Sequence, residues 1–332
     1  MKKKYYIVFL MLFIFVMMLD TKTAINAAAS GLDLCLKSVI PSLFPFVFLS
    51  SLLAEAMGNQ INILGPIRQL CQIPKGCDGI FILGLLGGYP VGAKLIAQQY
   101  QSGHLSKQVA RRLMGFCNNA GPGFIFGMLW NVFSNKWALW LLWGTQIVSS
   151  VITGMVLRKC EYKGKLQAQH GTLNAVQTLN QCVRAMGSIC GWIIIFRVLI
   201  GYLSQWIFAY FPGALQVACV GALELINGCA LLSTVESEGL RFVLCAAMLS
   251  FGGICVLMQT ASVTPELGLG FYLPGKLLQT IIAIFLSLIC QYLLFSNSIA
   301  NIFPVLAIIS FLFAIYFIVT RKNSSISAKY AV

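Results

Sequence analysis

Charged residues are scarce in this chain, and acidic residues are the scarcest. Charged residues make up 10% of the 332 residues, with 9 Asp and Glu against 23 Lys and Arg, whereas soluble domains carry about 25% charged residues. Hydrophobic residues make up 58%. This composition excludes an ordinary soluble domain and predicts an all-α polytopic membrane protein.

Signatures of enzyme chemistry are missing as well. The chain has 2 His, and it contains neither a Ser/His/Asp set nor a P-loop. Most of its 12 Cys lie inside apolar runs, where cysteine behaves as a small hydrophobe. We therefore expect no enzymatic activity, no catalytic residue, no metal site and no cofactor.

The net charge of +14 does not indicate a nucleic-acid partner. The basic residues lie in short loops between apolar runs and form no continuous basic face, which is the pattern of the positive-inside rule. The expected partners are the lipid bilayer and a small solute. None of these features predicts an oligomeric state.

The first 30 residues combine a basic flank with a short apolar run. Residues 2–4 are all lysine, residues 5–19 are apolar, and residues 27–30 read Ala-Ala-Ala-Ser. A cleaved signal peptide therefore competes with a retained transmembrane helix or signal anchor followed by a loop. We favour the retained helix, and both alternatives leave the next residues outside.

The most informative stretch is an interruption of the apolar segment 79–97. Residues 87–94 read GGYPVGAK, and an ordinary membrane-spanning helix has no such sequence at its centre. Irregular backbone at membrane depth is tolerated where it is buried in protein or lines a cavity, as in transporters. The predicted backbone positions of two such turns, the second within residues 215–233, are Gly87, Gly88, Pro90, Gly92 and Gly228.

The two halves of the chain resemble one another. Residues 84–94 correspond to residues 221–230, and residues 116–127 correspond to residues 250–261. Paired glycine-interrupted segments of this kind point to a transporter binding site. The predicted organisation is an N-terminal part (1–30), a first repeat (31–157), a basic cytoplasmic connection (158–181), a second repeat (182–296) and a C-terminal transmembrane helix with its tail (297–332).

Charge placement predicts how these segments cross the membrane. With the N-terminal lysines inside, full crossings at every apolar run would put the basic loops at Lys107 and Arg158 outside, against the positive-inside rule. If residues 79–97 and 215–233 are re-entrant helical hairpins, both loops lie inside. Each half then makes an odd number of crossings, which predicts inverted structural repeats.

Polar side chains within the apolar runs are the candidates for substrate binding. Glu224 has three open roles, because an intramembrane carboxylate can couple protons, coordinate Na⁺ as a coupling ion or pair with Lys94. Lys94 either holds an anionic substrate or extends to the membrane interface. Tyr89 either stacks on a planar ring or anchors its hairpin. The amide candidates, whose alternative role is hydrogen bonding between helices, are Asn118, Asn119, Asn227 and Gln259.

Three motifs in order carry a family resemblance: PSLFPF at 41–46, GGYPVGAK at 87–94 and FCNNAGP at 116–122. Together they resemble the YlbJ-like sporulation integral membrane proteins. That group has a nucleoside-recognition, or Gate, domain similar to repeats of concentrative nucleoside transporters. The resemblance covers nearly the whole chain, and the second half matches less closely.

The resemblance implies transport during endospore formation. The implied cargo is dipicolinate, and the implied location is the outer forespore membrane. Two alternatives stay open, namely a nucleoside-type solute transporter and a membrane scaffold in spore morphogenesis that moves no solute.

Overall fold

A computed structural model describes residues 2–57, 64–158 and 174–295, and the regular structure within these ranges is entirely helical. The predicted C-terminal unit at 297–332 and residues 159–173 of the predicted basic connection lie outside the described residues. The α-helices of the described part are α1 Lys2–Leu19, α2 Thr21–Leu34, α3 Ile40–Met57, α4 Gly65–Cys71, α5 Asp78–Leu86, α6 Val91–Gln101, α7 Lys107–Cys117, α8 Pro122–Met128, α9 Trp137–Val156, α10 Ala175–Trp206, α11 Gly213–Leu223, α12 Leu225–Leu231, α13 Glu238–Phe251, α14 Gly253–Val263 and α15 Tyr272–Phe295.

Five helical segments of the described part are long and apolar enough to cross a membrane. They are Thr21–Leu53, Trp137–Val156, Ala175–Trp206, Glu238–Val263 and Tyr272–Gln291. The first joins α2 to α3 through the π-helical turn Cys35–Val39, and the fourth joins α13 to α14. Large apolar side chains on their outer faces are exposed, as lipid contact requires; examples are Leu49, Ile195 and Ile281.

The structure differs from the sequence prediction at residues 21–30, where we expected a loop. These residues belong to α2. Asp20 caps this helix, because its Oδ1 accepts a hydrogen bond of 3.1 Å from the backbone N–H of Thr23. Alanine has the highest helix propensity of all residue types, so the alanine run at 27–29 favours continuation of α2.

Two helical hairpins occupy the positions that the sequence analysis singled out. Residues 87–90 join α5 to α6, and the single extended residue Glu224 joins α11 to α12. The arms cross at glycine pairs, Gly84 with Gly92 and Gly221 with Gly228. Arms of 7 to 11 residues are about 10–17 Å long at about 1.5 Å per residue, roughly half of the hydrocarbon thickness.

Each hairpin packs against a break in the helix that follows it. Residues 118–121 separate α7 from α8, and Gly252 separates α13 from α14. Gly252 and the first residue of α14, Gly253, both have φ above +80°. A Cβ on Gly121 would lie 2.8 Å from the Gly88 nitrogen, and one on Gly253 would lie 3.2 Å from the Leu223 carbonyl oxygen. The two halves thus repeat one arrangement of a hairpin tip on a helix break.

Long helices surround these elements. Helix α10 packs on α2 and α3, while α15 packs on α7, α9 and α13. The largest buried apolar cluster takes side chains from α3, α8, α9, α10, α12 and α13, with Tyr89 among them. The hairpin tips therefore lie inside the bundle and not at its rim.

We predict that a methyl group at the first glycine crossing destabilises the fold. A Cβ on Gly84 would overlap the Cys117 carbonyl oxygen, so Gly84→Ala forces backbone to move. Overpacking of this kind costs about 1–3 kcal/mol. Gly144→Ala in α9 is the matched control, because nothing lies within 4 Å of its Cβ position. Thermal unfolding in detergent should show a lower midpoint for Gly84→Ala alone, and equal midpoints would contradict the close approach.

Membrane-impermeant thiol labelling tests the predicted topology. In a Cys160→Ser parent, Lys107→Cys and Arg158→Cys should be labelled from the side that carries the N-terminal lysines, and Glu236→Cys from the opposite side. Background should be low because the cysteines of the described part are buried or half-buried. Labels at residues 107 and 158 opposite the N-terminus would show that the hairpins are full crossings.

Candidate solute-binding site

A cavity of about 30 Å³ lies where the two hairpin tips meet. Both halves of the chain contribute to its wall. A volume of this size holds about one water molecule, so the conformation is closed to larger solutes. The wall residues that concern the site are Gly88, Tyr89, Gly121, Glu224, Ile226 and Gln259.

Three of the predicted substrate-binding residues share this cavity, although they are far apart in the sequence. Tyr89 comes from the first hairpin, Glu224 from the turn of the second and Gln259 from α14. Lys94 does not line it. Its Nζ donates a 2.8 Å hydrogen bond to Oε1 of Gln181 at the start of α10, so the structure brings Lys94 neither to Glu224 nor to the cavity.

Glu224 is fully buried and caps a helix. Its Oε2 accepts a 2.6 Å hydrogen bond from the backbone N–H of Asn227 in the first turn of α12. A carboxylate at a helix N-terminus satisfies an otherwise unpaired donor and interacts favourably with the helix dipole. One oxygen of Glu224 thus stabilises the hairpin turn while the residue also lines the cavity.

Tyr89 links the two halves. It follows Gly88, whose φ of +75° lets the chain turn. Its hydroxyl lies 3.1 Å from the Leu249 carbonyl oxygen and 3.3 Å from that of Ser250. These carbonyls lie in the last turn of α13, where helix breakage removes their ordinary donors. Tyr89 therefore anchors its hairpin to the helix break of the other half, one of the two roles considered from the sequence.

Asn118 and Asn119 form the break between α7 and α8, and both are completely buried. Asn118 accepts from the Ala93 backbone N–H at 3.3 Å and donates to Thr260 Oγ1 at 3.2 Å. Asn119 donates to the Phe116 carbonyl oxygen at 2.8 Å. Asn119 thus pairs a carbonyl of the interrupted helix, whereas Asn118 pairs an N–H in the first turn of α6 and ties the break to α14. Both precede the cavity-lining residues 120–121.

Asn227 lies behind the cavity and contacts a basic residue from α10. Its Oδ1 accepts a 3.1 Å hydrogen bond from Arg197, which also donates to Ser30 Oγ at 3.2 Å. Its Nδ2 is buried and has no hydrogen-bond partner within the described ranges. Arg197 thus ties α10 to the second hairpin and to α2.

The remaining predicted positions contact neighbouring helices or lie in the hairpin turns. Gln259 donates from Nε2 to the Cys255 sulfur at 3.3 Å. Gly87 and Pro90 bracket the first turn, and a Cβ on Gly92 would overlap the Cys117 carbonyl oxygen. Gly228 touches Gly221 across the second hairpin.

Sequence analysis missed a buried polar cluster beside the first break. Lys276 and Gln279 of α15 and Ser149 and Ser150 of α9 are all 0% exposed and surround Asn119. Both helices read as ordinary apolar spans, and Lys276 stood at the edge of one, like a flanking residue. The only signal in the sequence was the spacing of Lys276 and Gln279, which puts them on one helix face.

Within residues 2–57, 64–158 and 174–295, no group of three or more His, Cys, Asp or Glu side chains is arranged to hold a metal ion. The polar groups that converge here are a carboxylate, amides, hydroxyls and an amine. Such groups bind a polar or charged solute by hydrogen bonds and charge, without covalent chemistry.

Comparison with known proteins agrees with the resemblance inferred from the motifs. The chain is 24% identical over 315 residues to the sporulation integral membrane protein YlbJ of Bacillus subtilis strain 168, covering 79% of this chain and 76% of that protein. No family model matches the chain. No solved structure matches it at a significant level.

We predict that the Tyr89 hydroxyl stabilises the contact between the halves. Tyr89→Phe keeps the ring but leaves the buried carbonyls of Leu249 and Ser250 without this donor, which should lower the free energy of unfolding by about 1–3 kcal/mol. Tyr210→Phe is the control, because Tyr210 is 82% exposed and its loss should cost less than about 0.5 kcal/mol. Equal unfolding midpoints in detergent for the two variants would refute the anchoring role.

Proposed function

The chain's similarity to YlbJ supports its membership of the YlbJ-like family of sporulation integral membrane proteins, and on that premise we propose that it is a transporter of a small anionic solute. We propose dipicolinate as the cargo and the outer forespore membrane as the location. The observation that carries the proposal is the cavity between two hairpin tips with the buried carboxylate of Glu224 in its wall.

Broken helices that meet inside a bundle support transport over a passive role. A carboxylate at membrane depth costs at least about 2.5 kcal/mol on insertion scales, and an irregular backbone needs buried partners throughout. The chain keeps an irregular backbone in each half and a buried carboxylate in the second, and such features mark the solute sites of secondary transporters. A scaffold would gain nothing from them.

We infer that both hairpins are re-entrant, entering the bilayer and returning to the side of entry. Their arms have about half the length needed to cross, and this arrangement brings the basic loops to one side. The two halves are then inverted repeats of the Gate type. Transport follows if one hairpin parts from the other, since the closed cavity is too small for a ring.

Glu224 is the residue we assign to coupling. Its carboxylate either takes up a proton or coordinates Na⁺ as the hairpins open. Because the same group caps α12, a change in its charge acts directly on the hairpin turn. Binding of the coupling ion and movement of the hairpin are thereby linked through one side chain.

Uptake by proteoliposomes tests this function. The wild-type protein should equilibrate radiolabelled dipicolinate, and excess unlabelled dipicolinate should compete. Glu224→Gln keeps a capping oxygen but removes the ionisable group, so initial uptake should fall by about tenfold or more. Glu236→Gln is the matched control, because Glu236 is exposed. Uptake by this variant should equal uptake by the wild type.

Each other outcome identifies an alternative. Uptake of radiolabelled nucleosides without uptake of dipicolinate would assign the chain to nucleoside-type solutes. A folded protein that moves neither would favour the scaffold. Undiminished uptake by Glu224→Gln would leave transport intact and remove Glu224 from the coupling mechanism.

A further inference from the structure

Lys276 is a buried lysine whose amine contacts neutral groups. Its side chain is 0% exposed. Its Nζ donates to Oδ1 of Asn119 at 3.1 Å and to Oε1 of Gln279 at 2.8 Å, and it lies 5.0 Å from the centre of the Tyr89 ring. Two amide oxygens and an aromatic face orient an ammonium group but do not neutralise it.

A carboxylate partner for this lysine is missing from the described part of the chain. The ion pairs found in those ranges are Lys37 with Asp33 and Arg68 with Asp78. Buried charges in proteins are normally paired, because removing a charge from water is costly. An ionisable group inside a membrane protein that lacks such a partner is a candidate functional residue.

The lysine is not needed to hold the helix break together. Asn119 Oδ1 already accepts a 2.8 Å hydrogen bond from Gln279 Nε2, and Asn119 Nδ2 donates to the Phe116 carbonyl oxygen. These neutral contacts satisfy the break without a positive charge. A methionine or glutamine at position 276 would serve an exclusively structural purpose at lower cost in desolvation.

The position of Lys276 relative to the cavity is fixed. Tyr89 separates the two, since it lines the cavity and its ring also faces the Lys276 ammonium. Helix α15 packs on α7 without intervening side chains here, because a Cβ on Gly275 would lie 2.5 Å from the Gly115 carbonyl oxygen. The amine is therefore held close behind the aromatic wall of the cavity.

We propose that Lys276 is the cation that recognises the anionic solute, reached when the Tyr89 side chain withdraws as the hairpins part. The solute class is a small carboxylate. One of its carboxylate oxygens accepts a hydrogen bond from the ammonium group on the side that the Tyr89 ring now covers. Glu224 in the cavity wall and the cluster around Lys276 then form one site. Glu224 binds the coupling ion, and Lys276 binds the anion. This inference rests on the transport function proposed above.

The proposal assigns to Lys276 the role that the sequence suggested for Lys94. Lys94 is half-buried and bonded to Gln181 outside the cavity, whereas Lys276 is fully enclosed beside it. The two lysines can be separated by experiment, because only one of them should control discrimination between a charged solute and its neutral isostere.

The experiment compares dipicolinate with pyridine-2,6-dicarboxamide, a neutral molecule of nearly the same shape. The wild-type protein in proteoliposomes should prefer the dianion. In Lys276→Gln the ratio of the two uptake efficiencies should fall by about tenfold or more, mainly through a higher KM for dipicolinate. Lys276→Arg keeps the charge and should retain much of the preference. Lys22→Gln, at an exposed position, should match the wild type.

A structural role for Lys276 predicts a different result. In that case Lys276→Gln would lower uptake of both solutes together, and Lys276→Arg would lower uptake as much as Lys276→Gln. An unchanged preference in a folded Lys276→Gln protein would overturn the proposal, as would loss of the preference in Lys94→Gln alone. Gel-filtration profile and unfolding midpoint establish that each variant is folded.

Failure of transport itself has a separate signature. If the wild type moves neither solute, the proposed function is wrong, and the site is then tested by binding alone. Dipicolinate should raise the unfolding midpoint of the wild type and of Lys22→Gln but not that of Lys276→Gln, while the dicarboxamide should raise none. Absence of any shift in the wild type would overturn the anion site too.

Discussion

The structure depends on one constraint: every backbone polar group freed by a broken helix must find a partner inside an apolar bundle. An unpaired N–H or C=O in hydrocarbon costs several kcal/mol. Asn119 supplies a partner at the first break, Asn118 supplies one in the first turn of α6, and the Tyr89 hydroxyl supplies one at the second break. Glu224 does so at the turn of the second hairpin. These interior polar side chains therefore serve first as hydrogen-bond partners for backbone groups.

The same residues create the conditions for solute binding. Interrupted helices bring short polar side chains together where continuous helices would present only apolar faces. Two ionisable side chains lie among these groups, the carboxyl of Glu224 and the amine of Lys276. Glu224 lines the cavity, and Lys276 lies behind the Tyr89 ring, which the first half contributes to the wall. A carboxyl in the cavity wall and an amine behind the Tyr89 ring suit the proposed cycle, in which an anion and a coupling cation bind together.

Sequence reasoning recovered the turns better than the contacts made by long side chains. Glycine-rich interruptions marked both hairpins and both breaks, because only glycine permits the backbone approaches seen at Gly84 and Gly228. Tyr89 and Glu224 followed from those turns. Lys94 was assigned to the site because of its place in the motif, but a flexible side chain takes its partner from the neighbouring helix, here Gln181.

The sequence by itself determined that the chain is helical and membrane-spanning and where its helices are interrupted, because composition, apolar run length and glycine placement act locally. Only the tertiary structure decided which polar residues meet. Lys276 reads as a flanking lysine until α15 packs against α7 through Gly115 and Gly275 and carries it into the interior. Helix packing joins residues more than 150 positions apart, such as Asn119 and Lys276, and no local pattern encodes that pairing.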